Sequence, residues 1–231
     1  MPPNKKAKTS AATGPVIKLT YFDLPGPAEP ARLALTLGGI AFEDKRVSFE
    51  EMKKMRENGE LTSPGSAGTQ LPRLEVDGKL LHQSLAQGQY CAKLAGMQPT
   101  DPWQAAKVDE AIQFIMQDIR GRTIEPTMSA PAEEKAAKRK ELAEVKLPPK
   151  LEILDKILET SESGYLVGDE LTLADLHLYV LCNWIGQEVL DGVPKTVITD
   201  HEHITAHCKK LNAIEAIKAW NAAKNPKLPW C

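Results

Sequence analysis

The sequence predicts an α+β chain in two parts, a β-α-β-α-β-β-α unit followed by an all-helical one. Three observations carry that prediction. Strand-like and helix-like segments alternate as far as about residue 95, and Gly96–Pro102 is a Pro/Gly-marked linker. No strand pattern follows, only apolar residues at helical spacing. The expected division is therefore a flexible tail over 1–15, an α/β domain over 16–95, a linker over 96–102 and a helical domain over 103–231.

Val16–Tyr21 carries β-formers in a mostly alternating pattern and reads as the first strand. Pro25-Gly26-Pro27 breaks it. Glu29–Leu37 has Leu33 and Leu37 on one helical face, with Pro30 tolerable in the first turn, and Gly38-Gly39 ends it. Phe42–Val47 reads as a second strand and Glu50–Glu57 as a short charged helix. A Gly/Ser/Pro loop covers Asn58–Thr69, then Arg73–Val76 and Lys79–His82 flank Asp77-Gly78, a strong hairpin signal. Ser84–Ala95 returns to helical spacing.

Beyond the linker, Trp103–Ile119 places Val108, Ile112, Ile115, Met116 and Ile119 along one side. Ala132–Leu147 is a charged helix that Pro148-Pro149 interrupts before Leu151–Leu158. Thr172 and Asp175 have capping-box spacing, with Leu171 and Leu176 placed as a hydrophobic staple. The helix they start, Leu173 to about Gln187, is apolar almost all round and is expected at the domain's centre. His207–Lys218 and Ile217–Ala223 are the last helical stretches.

Bulk properties narrow the function. The 231 residues are enough for one large or two small domains with a buried core. Lys and Arg (29) nearly balance Asp and Glu (31), which gives no field suited to nucleic acid or an anionic membrane. No apolar run has membrane-span length, and the N-terminus lacks the apolar core of a secretory signal. Lys5-Lys6-Ala7-Lys8 reads as part of a solvated leader, with a weak nuclear signal as the alternative. Cys91, Cys182, Cys208 and Cys231 show neither Cys-x-x-Cys spacing nor disulfide density, so a reducing cytoplasm is expected.

Some chemistries are disfavoured. His201, His203 and His207 include an i,i+4 pair, but nothing beyond Glu202 supports a metal site, and none is expected. No glycine-rich phosphate loop follows a strand. Leu24-Pro25-Gly26-Pro27 contains no cysteine, which argues against disulfide exchange.

Five strings in order then carry a resemblance: KLTYFD from Lys18, AEPARLALTLGGIAFED from Ala28, QLPRLEVDGK from Gln70, LHQSLA from Leu81 and GYLVGDELTLADL from Gly164. From about Val16 onward the chain resembles a cytosolic glutathione transferase. It is most similar to the sigma class, whose members include prostaglandin D synthases. The resemblance implies a thioredoxin-like N-terminal domain, an all-helical C-terminal domain, a homodimer, and glutathione as co-substrate with no further cofactor.

It also implies roles. Tyr21, an exposed strand-end tyrosine on the sequence, would donate its hydroxyl to the glutathione thiolate. A cis Leu71–Pro72 bond would present the backbone of Leu71 to the peptide. Gln83 and Ser84, at a helix start, would hold the γ-glutamyl carboxylate, with Gln70 reaching the same end; Ser84 as a plain helix cap is the structural alternative. Pro27 stands where relatives often carry an arginine, and Arg32 is the nearest one. Met52 stands where a tryptophan commonly touches the glycine end, leaving Lys53 or Lys54 as carboxylate partners. An aspartate that reaches across the dimer interface falls near Gln117 or Asp118. An apolar pocket for the electrophile is expected between the domains, lined by the Trp103–Ile119 helix and the C-terminal tail. The implied activity is conjugation of glutathione to hydrophobic electrophiles, a detoxification reaction. Glutathione-dependent isomerisation of a prostaglandin-like endoperoxide, or a non-catalytic binding or structural role, are the alternatives.

Overall fold

The structure is a computed structural model, and it describes residues 14–225. Lys5–Lys8, Cys231 and the C-terminal tail fall outside the described residues. The chain opens with β1 (Ile17–Phe22), a 3₁₀ turn (Gly26–Ala28), α1 (Glu29–Leu37), β2 (Glu43–Val47), α2 (Phe49–Glu57), β3 (Arg73–Val76), β4 (Lys79–Leu81) and α3 (Ser84–Leu94). The sheet order is β2-β1-β3-β4. β1 pairs parallel with β2 and antiparallel with β3, which pairs antiparallel with β4. β1 is thus central, and Ile17, Leu19 and Tyr21, two residues apart, are buried. The second helix starts one residue earlier than the charge pattern suggests. Ser48 accounts for this: its Oγ accepts from Glu51 N at 3.1 Å, while Glu51 Oε2 accepts from Ser48 N at 2.6 Å.

The remainder is helical, as expected for the second part: α4 (Pro102–Gln113), α5 (Glu125–Met128), α6 (Ala132–Glu141), α7 (Pro148–Glu159), α8 (Leu173–Gly186), α9 (Thr196–Thr199), α10 (Glu202–Asn212) and α11 (Glu215–Lys224). Asp101 caps α4 by accepting from Gln104 N at 2.8 Å. The helix expected to stop near Ile119 continues instead. A π-helical segment, Phe114–Ile124, carries it into α5, where Pro126 has no N–H to extend the wide ladder. Within it Thr123 Oγ1 donates to Asp118 O at 2.6 Å. Pro148-Pro149 likewise causes a wide turn (Leu142–Lys146) rather than a break, because both prolines sit in the first turn of α7.

α8 is the centre of the helical part. All its residues are buried except Val180 and Trp184. Its start is fixed by Asp175, which is fully buried. Asp175 Oδ2 accepts from Thr172 N at 2.8 Å and Thr172 Oγ1 at 3.0 Å, and Oδ1 accepts from Leu166 N at 2.8 Å. His207 Nε2 lies 3.0 Å from the same Oδ1.

The C-terminal helices correct the sequence reading. α9 is one short turn that periodicity misses, α10 begins at Glu202 rather than His207, and the chain breaks at Ala213-Ile214 before α11. His207 is buried against Asp175, whereas His201 Nδ1 sits 3.7 Å from Glu152 Oε2. The donor atoms of Glu152, Asp155 and His201 lie within 4.8 Å of one another. Asp155 is already engaged there, accepting from Ile204 N at 2.8 Å at the start of α10.

Candidate active site

Tyr21 is the last inward-facing residue of the central strand β1, one before its end at Phe22, and the chain then turns sharply. Gly26, at φ +49°, makes the close approach: a Cβ there would lie 2.9 Å from Tyr21 Oη and 2.9 Å from Leu24 Cδ1. The turn is tied from below by Arg32, whose side chain is fully buried. Arg32 Nη1 donates to Leu24 O at 2.8 Å and to Glu29 Oε2 at 3.1 Å, Nη2 to Phe22 O at 3.3 Å and Nε to Asp44 Oδ1 at 2.8 Å. Its guanidinium carbon is 5.8 Å from the centroid of the Tyr21 ring. The tyrosine expected to be exposed is therefore buried, at 8% exposure, with Phe22 packed edge-on at 5.1 Å. Burial raises the Tyr21 pKa, opposed by the positive charges of Arg120 and Arg32. The hydroxyl stays protonated, a donor rather than a phenolate.

Two cavities meet beside this turn. The first, of about 390 Å³, is bounded by Tyr21, the Leu24–Pro27 turn, Ile115, Met116, Arg120, Met128, and His177, Val180 and Trp184 of α8. Most of these side chains are apolar, and Val180 and Trp184 are the two residues of α8 that escape burial. The second, of about 420 Å³, is bounded by Gly68–Pro72, His82, Gln83, Ser84 and Glu125. Pro27, Met116 and Arg120 border both.

The second cavity is built from backbone. The Leu71–Pro72 bond is cis. Gln87, buried in α3, fixes this edge by donating through Nε2 to Pro72 O and to Leu81 O, both at 2.8 Å. Gln83 precedes α3 at φ +66°, a conformation uncommon for a residue with a side chain. Its amide reaches back to Ala67 O at 3.1 Å. The capping alternative for Ser84 is not realised: Ser84 is the first helical residue, Gln83 holds the cap position, and no side chain among the described residues caps the helix. The first N–H groups of α3 therefore have no side-chain cap among the described residues. The long loop before them is pressed inward, since a Cβ on Gly68 would meet His82 Cβ at 2.4 Å.

The expected residues divide in two. Tyr21 borders the first cavity, and Gln70, Leu71, Pro72, Gln83 and Ser84 border the second. Met52, Lys53 and Asp118 border neither. Met52 packs on a small satellite core of Val47, Met55 and Leu61. Lys53 is exposed, 3.9 Å from Glu57, and Lys54 pairs with Glu50 at 3.0 Å. Asp118 accepts from Arg122 Nη1 at 2.7 Å, one turn away on its own helix.

Sequence reasoning missed Arg120, His177, Gln87 and Gly26. Arg120 had a signal, a charge that follows Met116 by four residues beside the apolar stripe of that helix. His177 lines the first cavity, and burial pushes its pKa down to about 3, with Arg120's charge acting in the same direction. It is neutral at physiological pH. Cys91, on the buried face of α3, has a thiol pushed up to about 12 by desolvation, which removes it as a nucleophile.

The comparisons with known proteins agree with this architecture. Glutathione S-transferase 1 of Ascaris suum is 33% identical over 224 residues, covering 94% of this chain and 100% of the relative. The chain belongs to the glutathione S-transferase family. A family profile described as "Glutathione S-transferase, C-terminal domain" matches residues 117–224. Probable glutathione S-transferase 6 of Caenorhabditis elegans is 32% identical, over 92% of this chain and 98% of the relative. Among solved structures, the glutathione S-transferase from Ascaris lumbricoides superposes with a TM-score of 0.76 at 29% identity, over 91% of this chain and 98% of the other. The prostaglandin synthase D of Nilaparvata lugens superposes at 0.78 with 26% identity, over 91% and 99%. The family's two-part fold, a small mixed sheet with helices followed by a helical domain, is thus present here.

Proposed function

We propose that the chain is a glutathione transferase that conjugates glutathione to small hydrophobic electrophiles. The observation that carries this is the junction of a backbone-lined cavity and an apolar one beside the Tyr21 turn. A tripeptide seated along Leu71 and the start of α3 would place its thiol at that junction. The electrophile would lie in the apolar cavity.

The chemistry needs a thiolate. The free thiol is mostly protonated at neutral pH, and lowering its pKa by about two units corresponds to about 2.7 kcal/mol of differential stabilisation. In this reading the thiol's proton passes to solvent while the Tyr21 hydroxyl donates a charge-assisted hydrogen bond to the sulfur. A sulfur lone pair then forms the S–C bond, and the displaced group leaves with the electron pair of the bond it breaks. Gln70, Gln83 and Ser84 hold the γ-glutamyl end, and the backbone of Leu71 pairs with the peptide. Glutathione is the co-substrate, with no other cofactor, and the division lies at the linker 96–102.

The sigma class fits the strings from Lys18 to Leu176, and the likeness to an insect prostaglandin synthase makes endoperoxide isomerisation the second activity to assay. A cytoplasmic homodimer is the assembly in this reading, and no described helix is long and apolar enough to cross a membrane. The test is ultraviolet difference absorption of bound glutathione across pH, for the native protein and Tyr21→Phe. A bound thiol that ionises well below its free value, and returns toward it in the variant, supports the assignment. Saturable binding without a shifted titration, or no binding, overturns it.

A further inference from the structure

Among the described residues, Arg120 is the cation common to the two cavities. It comes from the π-helical segment of the helical part, opposite the sheet that carries Tyr21. Its guanidinium carbon lies 5.6 Å from the centroid of the Trp184 ring, on a wall of the apolar cavity. Its Nε is 3.3 Å from Glu125 Oε1, at the edge of the backbone-lined cavity. The pairing is incomplete, because Glu125 is about half exposed and contacts one edge of a five-donor group. Stacking on an indole orients a guanidinium without consuming its donors.

We propose that Arg120 is a catalytic residue of the reaction argued above, a guanidinium that faces the glutathione sulfur from the helical part and stabilises its thiolate together with Tyr21. The inference rests on that reading of the site.

The charge inventory supports the assignment. Of the titratable groups bordering the cavities, Glu29 is buried and already satisfied by Arg32, Trp220 and Asn225. Tyr179 donates to Asn212 Oδ1 at 2.5 Å, and His82 Nδ1 faces Gln70 O at 3.3 Å. His177 is neutral and Glu125 sits on the outer rim. Tyr21 carries no charge to repel a thiolate. Among the described residues, a negative sulfur at the junction therefore meets one cation that is not neutralised by a buried carboxylate. The low-polarity surroundings of Ile115, Met116 and Trp184 lengthen the reach of that charge. Arg120's charge is also felt at Tyr21, where it opposes the upward push of burial on the hydroxyl.

The experiment compares native protein, Arg120→Gln and Arg120→Lys. Each is measured for the apparent pKa of bound glutathione by ultraviolet difference absorption, for glutathione Kd by intrinsic fluorescence quenching, and for thermal midpoint. The expected result is a bound-thiol pKa about one unit higher in Arg120→Gln, or about tenfold less thiolate below that pKa. Kd should change less than threefold, and Arg120→Lys should recover part of the shift. A tenfold weaker Kd with an unshifted thiol pKa would overturn the proposal and make Arg120 an anchor for a peptide carboxylate. An unshifted pKa with unchanged Kd would also overturn it. If Arg120→Gln does not fold, Arg120→Met takes its place as the neutral variant of similar length: a bound-thiol pKa about one unit above native supports the proposal, and an unshifted pKa overturns it. Failure of the underlying reading looks different, since native protein itself would then show no shifted thiol.

Discussion

Trp220 Nε1 donates to Glu29 Oε1 at 2.6 Å, joining the last helix to the first across 191 residues of sequence. Asn225 Nδ2 donates to the same oxygen at 2.7 Å, and the other carboxylate oxygen accepts from Arg32. Arg32 in turn holds the carbonyls of Phe22 and Leu24, where the chain leaves Tyr21 for the turn. The C-terminal helix is thereby wired to the site through two buried side chains. Trp220→Phe keeps an aromatic ring, though a smaller one, and removes one bond to a charged acceptor. It should lower stability by about 1.5–3 kcal/mol in urea unfolding. Glu29→Ala leaves Arg32 buried without one of its carboxylates and should cost more, about 3–5 kcal/mol.

Gly26→Ala tests the turn itself. The new Cβ would meet Tyr21 Oη and Leu24 Cδ1 at 2.9 Å, and a side chain at φ +49° is strained by about 1 kcal/mol or more. Tyr21 must then shift away from the junction. The expected outcome is a loss of kcat/KM of about ten- to a hundredfold with the thermal midpoint lowered by a few degrees.

His177 gives a pH dependence. Its pKa is about 3 when folded and near 6.5 when unfolded, so between those values the unfolded chain binds the extra proton. Stability from this group is complete above about pH 6.5 and is lost as pH falls toward 3. The slope approaches about 1.4 kcal/mol per pH unit. Urea unfolding of native protein and His177→Phe at several pH values between about 5 and 8 checks this, and the difference between the two should grow on acidification.

Asp175 is the most heavily used buried carboxylate of the helical part, with Leu166 N, Thr172 N, Thr172 Oγ1 and His207 Nε2 around it. Asp175→Ala strands those groups without water and should destabilise the protein by about 3–5 kcal/mol. Far-ultraviolet circular dichroism against temperature would read it, and refolding yield should fall in parallel.

Legibility followed the range of the interactions. Thr172–Asp175 is a capping device closed within four residues, and its spacing alone announces it; Ser48–Glu51 has the same spacing but goes unread in the charge pattern, which starts α2 one residue late. β1 and the Asp77-Gly78 hairpin depend on alternation and turn chemistry, also local. Tyr21, Gln70, Leu71, Pro72, Gln83 and Ser84 were placed through the strings they sit in, and they do border the two cavities. Met52, Lys53 and Asp118 were placed by positional analogy across α2 and the long helix, and they border neither. Arg32 was visible as an arginine. Its burial under the Tyr21 ring was not, since Asp44, Glu29 and two carbonyls converge on it from four places in the chain.

By itself the sequence determined the element order as far as α3, the sheet-then-helices division, the buried character of α8 and the position of Tyr21 near the end of β1. Those are set by periodicity, glycine and proline placement and capping, which act over a few residues. Only the tertiary structure decided that Tyr21 is buried beneath Gly26, that Arg120 stands between two cavities, and that Glu29 gathers Trp220, Asn225 and Arg32. Each of these depends on groups far apart in sequence being desolvated together, and local pattern carries no record of which distant partner will share a buried charge.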